Sequence, residues 1–196
     1  MIKEMINEVE LKFETTNTIF SPQGIDKGTL AMLSQVILTP EDKLLDLGCG
    51  YGVVGIYFAK IIGEENVVMS DNNKKCIEFS QKNAKLNGVS DVQIVLSEGF
   101  NNINEKDFTY ILSNPPYHAD FSVPKHFIEK GFNRLKIGGK MLMVTKRNDW
   151  YKNKLTAIFG GVKVHEIDGY FIFIAEKRSS SYVKLVRTNL KNKDKL

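Results

Sequence analysis

"VKVHEIDGYFIFIAEK", residues 162 to 177, reads as two strands joined around Asp168-Gly169 with no helical stretch between them. Strands that close in sequence pair as a hairpin, because a parallel crossover needs a dozen or more residues. Upstream, back to residue 43, the pattern is different. "KLLDLGC" (43 to 49), "NVVMSD" (66 to 71), "VQIVLS" (92 to 97), "FTYILS" (108 to 113) and "KMLMVTK" (140 to 146) are short apolar runs in strand style. Between them lie the helical stretches 53 to 63, 73 to 88 and 124 to 139, the last stopped by Gly138-Gly139, and a further helix covers 149 to 161. Continuous apolar strands separated by amphipathic helices specify a mostly parallel sheet covered on both faces. The expectation is an α/β fold with seven strands, mostly parallel, ending in an antiparallel C-terminal hairpin, with helices on both faces.

Residues 1 to 40 form an N-terminal extension, with extended "ELKFETTNTIFS" (10 to 21) and a helix from Gly28 to Leu38. Residues 41 to 178 are the main domain and 179 to 196 a C-terminal tail. At 196 residues and 42% hydrophobic, the chain can bury one full core. The start "MIKEMINEVELK" has no secretory pattern and no run reaches eighteen apolar residues, so the expected location is cytoplasmic, away from membranes.

Charge is uneven. From Lys177 onward there are seven basic residues against one acid, Asp194, a net +6 out of a total of +4, so the body is −2. A basic tail on a near-neutral body fits a polyanionic partner such as RNA, since lysine and arginine gain affinity by releasing phosphate counterions; a solvated terminus is the plainer alternative. The two cysteines, Cys49 and Cys76, have no partner at metal-ligand spacing and read as free thiols.

"DLGCGYG", residues 46 to 52, ends the first strand of the main sheet and opens a helix. Glycines there allow a tight turn and close approach of backbone to a ligand. Asp46, just ahead of Gly48 and Gly50, would repel a diphosphate but suits a cofactor with a cationic amino-acid end. Asp71 ends the next strand, where a carboxylate can take both ribose hydroxyls. Two acids around one glycine turn favour S-adenosylmethionine over a dinucleotide. Glu98, after the third strand, is placed to meet an adenine amino group, with Phe100 or a neighbour closing over the ring.

"SNPPYH", residues 113 to 118, ends the fourth strand, where open parallel sheets bind ligands. Pro115 and Pro116 have no N–H to donate, so with the Asn114 side-chain oxygen this segment presents acceptors. Such acceptors suit an NH₂ group, and Tyr117 supplies a face for a base to stack on.

Asp46 to Gly52, Asp71-Asn72-Asn73 and Asn114 to Tyr117 together resemble class I S-adenosylmethionine-dependent methyltransferases that modify amino or amide nitrogens. With "TTNTIFSPQGIDKGTLAML" and "GYFIFIAEK" added, the chain is similar to the small methyltransferase domain family, typified by 16S rRNA guanine-N2 methyltransferases. The resemblance implies a Rossmann-like fold, a cofactor held by Asp46, Gly48, Gly50, Asp71, Asn72, Glu98 and Asn114, and catalysis at Asn114, Pro115 and Tyr117. It places Pro116, Tyr117, His118 and Phe20 on the substrate side. Phe20 and Asp26 to Thr29 belong to a flap near the cofactor, and Asp120 stands where the family commonly has glycine. The implied partner is rRNA or a ribosomal subunit, met by a monomer or a homodimer. Adenine-N6 and glutamine-N5 methylation use the same motif, and a non-catalytic RNA-binding module on this scaffold is a fourth reading. His126 and His165 read as structural or exposed, and Trp150 and Tyr151 as packing.

Overall fold

In the computed structural model, residues 1 to 19, 21 to 115 and 120 to 182 are described. Phe20, Pro116, Tyr117, His118 and the tail from residue 183 lie outside them.

The main sheet has seven strands in the order β5-β4-β3-β6-β7-β9-β8. They are β3 (Leu44–Leu47), β4 (Val67–Asp71), β5 (Gln93–Leu96), β6 (Phe108–Ser113), β7 (Leu135–Thr145), β8 (Lys163–Ile167) and β9 (Tyr170–Glu176). β5, β4, β3, β6 and β7 are parallel, and β9 runs antiparallel to both β7 and β8. This is the expected arrangement.

Two cores sandwich the sheet, because successive strand residues face opposite ways. Leu44, Met69, Leu112 and Ile172 face the side covered by α1 (Lys27–Leu33), α2 (Val53–Ile62) and α3 (Lys74–Leu86). Leu45, Val68, Ile111 and Phe173 face α4 (Ser122–Arg134) and α5 (Asp149–Phe159). The strand order reverses direction at β3 and β6, so the crevice for a ligand opens at their carboxyl ends.

The N-terminal extension holds a hairpin, β1 (Ile2–Ile6) with β2 (Val9–Phe13), closed through Asn7 and Glu8, both at positive φ. It is fastened to the body by two asparagines one helical turn apart, Asn83 in α3 and Asn87 at its C-cap. Asn87 Oδ1 accepts from Lys12 N (3.0 Å) and its Nδ2 donates to Lys12 O (2.7 Å). Asn83 does the same for Glu14, at 2.7 and 2.9 Å. Positions i and i+4 on a helix match the spacing of i and i+2 on a strand, so the two side chains imitate a neighbouring strand.

Two expected boundaries move. The first helix stops at Leu33 rather than Leu38: the Ser34 hydroxyl donates to Ala31 O (2.7 Å), and Val36-Ile37 followed by Pro40 disfavour a further turn. α4 ends at Arg134 and not at Gly138-Gly139, which lie inside β7, where the register with β6 shifts between Phe108 and Tyr110. No helix among the described residues is long and apolar enough to cross a membrane.

Candidate active site

Two cavities meet at the carboxyl ends of β3 and β4, sharing Gly48, Asp71 and Asn72. The first, about 200 Å³, is walled by Ser21, Asp26 and Thr29 from the N-terminal segment, by Asp46 and the glycine loop, by Cys76, and by Asn114. The second, about 590 Å³, is walled by Ser97 to Gly99 after β5 and by Ser122, Val123, His126 and Phe127 of α4.

The glycine loop is shaped for a guest. Gly48 and Gly50 have φ of +81° and +58°, where L side chains are strained, and a Cβ at either would meet open space. Asp46 is almost fully buried, and its Oδ2 accepts from Gly55 N (2.9 Å) in the first turn of α2. Burial is the main reason its pKa is pushed up to about 7; the Gly55 N–H opposes this and the Asp71 charge adds to it. Asp71 accepts from Gly50 N and Asn73 N, both at 2.9 Å. Burial raises its pKa too, against those N–H groups.

Asn114 carries the decisive geometry. Its Nδ2 donates to Asp26 Oδ2 (2.9 Å) and to Thr29 Oγ1 (3.0 Å). A carboxylate can only accept, so the amide nitrogen must face Asp26 and the carbonyl oxygen the other way. That oxygen, Oδ1, is buried and has no hydrogen-bond partner among the described residues. Unpaired buried acceptors are rare in folded proteins, and one in a cavity wall marks a place for an incoming donor. Asp26 is itself fixed: it caps α1 by accepting from Thr29 N (3.0 Å), and it accepts from Tyr170 Oη (3.3 Å). Below the amide, Ser113 Oγ donates to Leu47 O (2.7 Å) and ties β6 to β3.

The structure thus brings Asp46, Gly48, Gly50, Asp71, Asn72 and Asn114 to one cavity, with Glu98 on the second. Pro115 follows Asn114 and is buried. Phe100 departs from expectation: it packs in the core beneath α4, tilted against His126, and lines neither cavity. His126, read as structural or exposed, is half-buried and lines the second cavity. Cys49 and Cys76 are free, buried thiols in the first cavity wall, and burial pushes both pKa values up, so neither is an activated nucleophile. The described residues include no metal-binding cluster. The sequence did not reveal the contact of Asp26 and Thr29 with Asn114. Asp-x-x-Thr is a legible helix cap, but nothing local announces a partner 88 positions away.

Residues 10–175 match the family model of the methyltransferase small domain. Protein YbxB of Bacillus subtilis (strain 168) is 31% identical over 86% of this chain and 87% of its own length. The ribosomal RNA small subunit methyltransferase C of Pseudoalteromonas atlantica (strain T6c / ATCC BAA-1087) is 29% identical over 82% of this chain but only 48% of its own. Among solved structures, the T. thermophilus 16S rRNA guanine-N2 methyltransferase RsmC, in complex with AdoMet and guanosine, superposes with a TM-score of 0.81 at 26% identity. That match covers 90% of this chain and 50% of the other, so this chain spans about half the length of the named rRNA methyltransferases. The chain belongs to the methyltransferase small domain family and is an S-adenosylmethionine-dependent methyltransferase.

Proposed function

We propose that this enzyme methylates an exocyclic amino nitrogen of a base in ribosomal RNA, with guanine N2 as the target. The observation that carries this reading is Asn114, which lines the first cavity with its amide nitrogen held by Asp26 and Thr29, so that its Oδ1, unpartnered among the described residues, is left for an incoming donor. The rRNA assignment is supported by the named relatives, and guanine by the guanosine bound in the structural neighbour.

The residues present suit the cofactor: a glycine turn with open space above it and a carboxylate on either side, Asp46 buried and Asp71 half-buried. Gly48 and Gly50 admit it to the backbone, Asp46 suits its ammonium, Asp71 and Asn72 its ribose hydroxyls, and Glu98 its adenine end. When bound, it supplies a methyl carbon already activated by a sulfonium, so no acid or base need activate the donor.

The chain's own task is to aim the amine. An exocyclic amine is a poor nucleophile because its lone pair is delocalised into the ring. Asn114 Oδ1 accepts one of its hydrogens, and Pro115, lacking an N–H, leaves its peptide to present acceptors. Asp26 and Thr29 hold the amide in the accepting orientation before substrate arrives, so little reorganisation is needed as positive charge grows on nitrogen. The proton leaves to water after transfer. A paired target base must leave its stack, which costs least in single-stranded or disrupted RNA.

The test is mass spectrometry of rRNA and tRNA nucleosides from cells with and without this protein. Loss of N2-methylguanosine from rRNA is expected. Loss of N6-methyladenosine would move the target to adenine, and unchanged digests of both RNAs would overturn the proposal.

A further inference from the structure

The carboxyl end of β7 carries a feature that the cofactor and target amine do not use. Lys146 and Arg147 directly follow the strand, and both are exposed. Each cation lies against an aromatic ring. Lys146 Nζ is 4.9 Å from the Tyr170 ring centroid, and the Arg147 guanidinium carbon is 5.0 Å from that of Phe121. Phe121 is in turn stacked on Trp150, with centroids 4.5 Å apart and planes 20° from parallel. Neither cation has an ion-pair partner among the described residues. A cation held on a ring loses side-chain freedom while keeping its charge, which prepares it for an anion.

The pair adjoins the site. Tyr170, under Lys146, donates to Asp26, and Asp26 accepts from Asn114, so two side chains separate Lys146 from the amide. Phe121, under Arg147, lies seven residues after Asn114 and precedes α4. A second basic groove, lined by Lys140, Lys163 and Arg178, opens at the other end of the same strands, and Arg178 lies 3.9 Å from the Glu176 carboxylate. It is too remote to orient a base at Asn114.

We propose that Lys146 and Arg147 form an aromatic-backed cationic lip that takes the backbone phosphates flanking the target nucleotide of the RNA. This rests on RNA being the substrate. Phosphate contacts fix register and orientation without reading sequence, which is what a target base needs on its way to Asn114. RNA fits better than an acidic protein surface because the rings under the cations also offer faces to unstacked bases. Acids close in sequence, Asp120 next to Phe121, Asp149 two positions after Arg147 and Asp168 two before Tyr170, keep the lip from being a broad positive field. Contact is therefore confined to one or two phosphates.

The test is fluorescence anisotropy of a labelled single-stranded RNA on the full chain between 50 and 200 mM salt. For single strands each phosphate contact contributes about 0.7 to the slope of log K against log salt. The double variant K146A/R147A should lower that slope by roughly 1.4 and weaken binding on the order of tenfold. K146R/R147K should keep the wild-type slope, and calorimetric S-adenosylmethionine affinity should be the same in all three. An unchanged slope in the alanine variant, or an equal fall in the charge-keeping variant, overturns the lip. Binding is read without catalysis, so the two proposals fail separately. Salt-dependent RNA binding that needs the lip, with rRNA unmodified, sinks only the target assignment. Methylated rRNA with the alanine variant's slope intact sinks only the lip.

Discussion

The two cavities share a wall but are held in different ways. The first, about 200 Å³, draws its walls from segments as far apart as Ser21 and Asn114, and its polar groups are fixed by buried hydrogen bonds. The second, about 590 Å³, adds to the shared ends of β3 and β4 only the loop after β5 and the first turns of α4, with Glu98 exposed to solvent. A reacting group must be held closely, because small displacements cost orders of magnitude in rate, whereas a recognition contact can shift and still contribute affinity. On the proposed reading, the difference separates the closely held end of the site, where the target amine and the cofactor's amino-acid end meet, from looser recognition of the adenine end.

The largest effect should come from the tight cavity. Asn114→Ala is expected to lower the single-turnover methylation rate by about 10²–10³-fold, the usual cost of one preorganised polar group. Calorimetric cofactor affinity should change little. Equal losses in rate and affinity would erase the distinction between the cavities.

Acid should act on the same cavity. With the Asp46 pKa pushed up to about 7, lowering the pH from 8 to 6 protonates most of the carboxylate proposed to meet the cofactor's ammonium. Affinity should fall about tenfold over that interval, and Asp46→Asn should flatten the profile. Stability moves the opposite way. The folded pKa lies above the ordinary 3.8, so the Asp46 contribution to the stability of the cofactor-free protein is complete below about pH 4 and is lost as pH rises through about 7. Parallel binding and thermal-melting series check both signs. The smallest effect belongs to the open cavity: Glu98→Gln should weaken cofactor binding only about two- to fivefold, as expected for one exposed hydrogen bond. A hundredfold loss would show that the second cavity is as demanding as the first.

Much of the fold was legible because strand, helix and turn signals are local. The Asp168-Gly169 turn, the apolar strand runs and the glycine loop each appear within a few residues. β1 was not recognised as a strand because Asn7-Glu8 lacks the glycine that usually announces so tight a turn, although both residues adopt positive φ. The extent of β7 was obscured by Gly138-Gly139, which reads as a helix stop but sits within the strand. In the site, Asp46, Asp71 and Asn114 were readable from strand ends. The contacts that orient Asn114 were not, because Asp26 and Thr29 reach it, and Tyr170 reaches Asp26, only through tertiary packing.

The central claim is that Asp26 turns the Asn114 amide so that its oxygen is left for the target amine. Exchanging the two side chains tests it directly. Asn114→Asp alone sets a carboxylate against Asp26 and should cost at least about 10²-fold in single-turnover rate. The double variant Asp26→Asn/Asn114→Asp restores one donor facing one acceptor between the two side chains and again leaves an oxygen for substrate, while giving up the cap bond from Thr29 N, which shares Asp26 Oδ2 with Asn114. It should recover to within about tenfold of wild type. A double variant no faster than Asn114→Asp, with cofactor affinity retained, would contradict the account.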